Sequence, residues 1–179
     1  MEIEKEDLFY NVLNLVNAVL LNKRYYGKCE GYIQQSFERL RQFLIMMKMT
    51  GVINEKDKDI LFALTDNSSK KYEPVLFERI LQLFQGAEQG KIKIDVEDFL
   101  EYALYLVNKV LINKKFVVAK LVTFSIEELI CFVMALESIG IINQKQTSVF
   151  YVLAADSSEE RKRVSLEKLK KLFAEAAGE

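Results

Sequence analysis

Between residues 8 and 22 the chain reads "LFYNVLNLVNAVLLN", an apolar run interrupted by four asparagines and by no charge. The segment from Leu15 to Tyr26, "LVNAVLLNKRYY", returns as "LVNKVLINKKFV" at 106–117. Both stretches predict a helix, over residues 4–21 and 95–112. Carboxylates crowd each start, where they favour the positive end of the helix dipole, and Asp95 with Asp98 has capping-box spacing. Beyond the first turn both helices are apolar on nearly every side, which predicts central, buried rods rather than surface ones. A second helix is expected over 36–49 and 125–138, with Ser125 and Glu128 forming an N-terminal capping box. Gly51 and Gly140 end it, since glycine takes the left-handed conformation that closes a helix. Asn54 with Asp57, and Asn143 with Gln146, then open a third helix that stops near Thr65 and Ala155. A polar turn leads to a fourth, with Pro74 in its first turn in one half and Ser165 as its cap in the other.

These elements come in two matching sets. Residues 3–23 and 94–114 are identical at more than half of their positions, including Leu15/Leu106, Asn17/Asn108 and Lys23/Lys114. "TGVINEKD" at 50–57 answers "IGIINQKQ" at 139–146, "LTDNSS" at 64–69 answers "AADSSE" at 154–159, and "LFERILQLF" at 76–84 answers "LEKLKKLF" at 166–173. Four landmarks in constant order read as an internal repeat. The expected fold is all-α: eight helices as a tandem duplication of a four-helix module with pseudo-two-fold symmetry. The first module covers residues 1–85, a Gly-bearing connector 86–93, and the second module 94–179. One small module could hardly cover such greasy first helices, so the two are expected to pack face to face.

Composition changes the picture mainly by exclusion. Half of the 179 residues are hydrophobic, yet 26 acidic and 25 basic residues nearly cancel, so no overall field steers the chain toward nucleic acid or an anionic membrane. Histidine is absent. That removes the Ser-His-Asp and Cys-His constellations and most zinc sites, and no enzyme activity, metal or cofactor is expected. The longest charge-free run is too short to span a bilayer. The acidic start lacks the pattern of a secretory signal, and two cysteines at unrelated places, Cys29 and Cys131, build no disulfide framework. A cytoplasmic location is therefore expected.

Four sets of residues invite a functional reading. The two basic corners place Lys23, Arg24 and Lys28 around Tyr25 and Tyr26, and Lys114, Lys115 and Lys120 around Phe116. Read functionally they form a doubled phosphate-binding surface with aromatics for stacking. Read structurally, the cations complement the negative end of the first helix and the aromatics anchor the connector. Asn17 and Asn108 sit at matching places in apolar helices and read as a structural polar pair making inter-helix hydrogen bonds. Gly51, Asn54, Gly140 and Asn143 are the helix-turn caps. The turn at Asp156 puts Ser158 third, Glu160 fifth and Glu167 twelfth, the spacing of a calcium loop, but Arg161 stands where that loop needs glycine. The expected function is therefore a non-catalytic helical adaptor or assembly subunit that binds a protein partner or itself. Nucleic-acid binding through the basic corners is the alternative, and a degenerate EF-hand-like calcium protein the lesser one.

Overall fold

The computed structural model describes residues 1–27, 29–66, 72–84, 89–116, 119–155 and 163–177. Among them it is mostly helical, with eight helices and one two-stranded antiparallel sheet. The chain divides into two compact units, Met1–Ile94 and Asp95–Glu179.

The first unit holds strand β1 (Glu2–Glu4), helices α1 (Lys5–Tyr25), α2 (Glu30–Met49), α3 (Glu55–Thr65) and α4 (Phe77–Leu83), and strand β2 (Lys91–Lys93). Helix α1 touches all three other helices. It buries Leu8, Phe9, Val12, Val16, Val19 and Leu20 against Leu40, Phe43, Leu44 and Met47 of α2, Leu61 of α3 and Ile80 of α4. Each fully buried side chain of this size contributes on the order of 1.5–3 kcal/mol. The opposite side of α1 is not covered throughout: Tyr10, Leu21 and Tyr25 are exposed.

The second unit holds α5 (Val96–Lys115), α6 (Ala119–Ser138), α7 (Gln144–Ala155) and α8 (Leu166–Ala177). Helix α5 is its centre, touching α6, α7 and α8 and burying nine residues from Phe99 to Leu111. Edge-to-face ring contacts tie the layers together, Tyr102 to Phe132 at 4.7 Å and Phe150 to Phe173 at 5.4 Å between centroids.

Turn chemistry sets the boundaries between second and third helices. Gly51 and Gly140 both have φ +73°. Asn54 Oδ1 accepts from the backbone N–H groups of Lys56 and Asp57 while the Asp57 carboxylate accepts from Asn54 N–H, so a reciprocal box opens α3. Asn143 and Gln146 repeat that exchange at α7, at 3.0 and 2.9 Å.

Several boundaries differ from those expected. Helices α2 and α6 begin well ahead of Ser36 and Ser125, and neither serine is a cap. Each lies inside its helix and donates its hydroxyl backward, Ser36 to Ile33 O at 2.8 Å and Ser125 to Val122 O at 2.9 Å. A serine that satisfies itself on the preceding turn imitates a cap in sequence without ending the helix. Glu128, its expected box partner, pairs with Lys109 instead. Asp95 caps α5 through Glu97 N–H at 3.0 Å. Pro74 lies ahead of α4, outside the helix, whereas Ser165 caps α8 through Lys168 N–H at 3.3 Å.

The two strands were not expected. "EIE" pairs with "KIK" in the register Glu2–Lys93, Ile3–Ile92, Glu4–Lys91, with Ile3 buried and Glu4 ion-paired to Lys91 at 3.3 Å. Residues 91–93, read as connector, thus complete the first unit. Three residues are too few for an alternating pattern to stand out. No helix among the described residues is long and apolar enough to cross a membrane.

Gly51 has open space where a Cβ would sit, so its requirement is conformational rather than steric. Gly51→Ala is expected to cost about 1–2 kcal/mol through the left-handed φ alone, read as a lower urea midpoint at unchanged slope.

Candidate functional site

Each matched asparagine uses its side chain both as donor and as acceptor. Asn17 Nδ2 donates to Val75 O at 3.0 Å, and Val75 N–H donates back to Asn17 Oδ1 at 2.7 Å. Asn108 does the same with Val164, at 3.0 and 2.8 Å. The partner is not another helix, as expected from sequence, but the non-helical backbone just ahead of α4 and α8. A peptide group there has no helix or ladder to satisfy it, and a primary amide presents the matching donor and acceptor.

The first cation of each basic corner is also committed internally. Lys23, its side chain 16% exposed, donates to Thr65 O at 2.5 Å and pairs with Asp66 at 3.3 Å. Its ammonium also lies 4.8 Å from the centroid of the Phe37 ring. Lys114 donates to Ala154 O at 2.5 Å. Both lysines therefore complement the carbonyl end of the third helix, not of the helix that carries them. Arg24 lies over the Tyr25 ring at 5.4 Å, and Tyr25, Tyr26, Lys115, Phe116 and Lys120 are exposed. Tyr26 meets Tyr32 at 5.3 Å. Lys28 lies outside the described residues.

Of the calcium candidates, Asp156, Ser158 and Glu160 lie outside the described residues, and Glu167 is exposed in the first turn of α8. Among the described residues no three acidic or thiol groups gather as a metal site. Cys29 is an exposed thiol and Cys131 a buried one.

Two hollows on the second unit were not foreseen. The first, about 500 Å³, lies between α5 and the segment before α8, lined by Glu101, Leu104, Tyr105 and Arg163 beside the Asn108 clamp. At the matching place in the first unit, Tyr10 stacks on Phe77 at 3.8 Å. The second, about 340 Å³, lies between α6 and α7 with Lys114 at one end and Ile126, Ile130, Tyr151 and Ala155 along its sides. Burial pushes the Tyr151 phenol above its ordinary value, with nearby Glu137 and Cys131 adding to the shift. The signal that could have found both hollows is the loss of bulk between matching positions, Tyr10 to Glu101 and Phe37 to Ile126.

No protein-family model, curated protein or solved structure matches this chain.

Asn108→Ala strands the Val164 N–H and C=O in a site only 7% exposed. It is expected to lower unfolding free energy by about 2–4 kcal/mol in urea denaturation, one desolvation penalty per stranded group. For Tyr151 the folded state holds the phenolic proton more tightly than the unfolded chain does. Stability is therefore lost as pH rises through the window between the ordinary tyrosine value and the raised one. A spectrophotometric titration of Tyr151→Phe is expected to lose one tyrosine component that titrates above the ordinary value and to flatten that loss.

Proposed function

We propose that this chain is a non-catalytic interaction protein, an adaptor or assembly subunit, built by tandem duplication of one helical unit with pseudo-two-fold symmetry. The duplication is supported by polar residues that do the same work in each half, Asn17 with Asn108 and Lys23 with Lys114. Strand register adds to it. Glu2 faces Lys93, its partner under the same shift that carries Ile3 onto Ile94, so the ladder has its local two-fold at a repeat-equivalent pair.

One observation carries the interaction reading. The matched polar groups are turned to holding each unit together, while matched positions around the basic corners expose large apolar side chains. Leu21 and Ile112 are 40% and 54% exposed, Tyr25 and Phe116 66% and 69%, and Tyr32 and Leu121 59% and 50%. Large apolar groups kept in water at the same places twice are the mark of a contact surface. The partner is a protein or a second copy, in a reducing cytoplasm where both thiols stay free.

Light scattering coupled to size exclusion, together with pull-down from the native extract, tests this. A stable oligomer or a protein that co-purifies is expected, and both are expected to vanish when Tyr25, Tyr32, Phe116 and Leu121 are changed to serine. A wild-type monomer that binds nothing sinks the reading.

Single-stranded nucleic acid is the second reading, favoured by Arg24, Lys115 and Lys120 standing exposed beside exposed rings. It predicts oligonucleotide affinity that falls steeply with salt and is lost in Arg24→Ala/Lys115→Ala/Lys120→Ala. Binding retained in that variant dismisses it.

A further inference from the structure

We infer that the hollow between α5 and the segment ahead of α8 binds a free α-amino acid with a bulky apolar side chain. The site lies apart from the basic corners, and the inference goes beyond the interaction reading without resting on it. A volume of about 500 Å³ is that of a small-molecule site. Two side chains of opposite charge line it, Glu101 from α5 and Arg163 from the segment, both exposed. Neither has an ion-pair partner among the described residues, and Lys170 of α8 pairs with Glu97 instead, at 2.8 Å. Between the charges the lining is carbon: Leu104, Leu166 and the ring of Tyr105, which is 57% exposed. Asn108 holds both backbone groups of Val164, the residue after Arg163, so the wall that carries the guanidinium is tied to the helix that carries the carboxylate. A site whose walls are held in this way has little ordering left to do when a ligand enters.

The mixed sign of the lining is what chooses the ligand. An anion drawn to Arg163 meets the Glu101 carboxylate, and a cation drawn to Glu101 meets the guanidinium, so molecules with a single charge of either sign are disfavoured. A molecule with an ammonium and a carboxylate on one carbon gains at both. Its carboxylate suits the planar fork of the guanidinium, and its side chain falls on the carbon surface between the charges. The first unit lacks this arrangement. Under the alignment that carries Asn17 and Val75 onto Asn108 and Val164, Tyr10, Asn14, Pro74 and Phe77 stand where the second unit has Glu101, Tyr105, Arg163 and Leu166. Not one of those four is charged, and Tyr10 lies on Phe77 at 3.8 Å with 10° between the ring planes. Both charges and the exposed Tyr105 ring therefore belong to the second unit alone, which sets one ligand per chain.

Isothermal titration calorimetry of the full chain with phenylalanine tests this. Saturable binding of one molecule per chain is expected, and none of glycine, which has no side chain to place. N-acetylphenylalanine and phenylalaninamide each lack one of the two charges and are expected to bind at least ~5-fold more weakly. Glu101→Gln and Arg163→Gln are each expected to weaken phenylalanine by a similar factor, with the circular dichroism spectrum unchanged. Glu101→Gln no longer distinguishes phenylalanine from N-acetylphenylalanine, and Arg163→Gln no longer distinguishes it from phenylalaninamide. Should either variant unfold, the two analogues carry the test on the wild-type protein. Absence of binding by phenylalanine, leucine and tyrosine alike overturns the inference. So does 3-phenylpropionate bound as tightly as phenylalanine, which would make the hollow a site for simple carboxylates, and so does an affinity unchanged in both variants. Any of these results leaves the adaptor reading as it stands, because the basic corners take no part in the hollow.

Discussion

An amide side chain inside an apolar helix must find both a donor and an acceptor, because either one left bare in the interior costs about 1–3 kcal/mol. Asn17 and Asn108 meet that demand by gripping one residue of non-helical backbone, Val75 and Val164, through its N–H and C=O together. The grip works in both directions. It satisfies the amide, and it fixes the segment whose peptide groups no helix or strand would otherwise pair. Helices α4 and α8 begin two residues later, so this exchange ties the start of each to the first helix of its unit. Apolar contacts such as Phe150 with Phe173 add to that tie.

The lysine at the far end of the same helix plays the complementary part. One and two-thirds turns beyond the asparagine, Lys23 and Lys114 reach the last carbonyls of the third helix, where the backbone dipole is negative and carbonyls lack helical donors. One central helix thus holds two neighbours by polar contacts at two heights. The basic corner changes character as a result. Its leading cation belongs to the interior of the unit, and what remains outward is aromatic and aliphatic surface with a few cations beside it.

The units share these contacts and differ in what fills the spaces between helices. In the first unit Tyr10 lies against Phe77 and Phe37 under Lys23. Glu101, Leu166 and Ile126 at the corresponding places leave the second unit with two hollows. The same polar contacts are kept while side-chain volume changes at these places.

Much of this was legible in the sequence. Glycine before two β-branched residues and an asparagine marks a left-handed stop and a capped restart, because both are satisfied within a few residues of themselves. The helical class and the doubling of landmarks come from composition and order alone. Local information fails where a group can be satisfied in more than one way. Ser36 and Ser125 offer the same hydroxyl to a cap or to a carbonyl one turn back, and only the completed helix selects the latter. "EIE" and "KIK" are too short to declare a strand until each meets the other across most of the first unit. Asn17, Lys23 and their partners in the second unit stand out in sequence as repeated polar residues, but their bonds span some forty to sixty positions. What such a residue holds is set by which distant backbone the packed core delivers to it, and that is a property of the assembled chain.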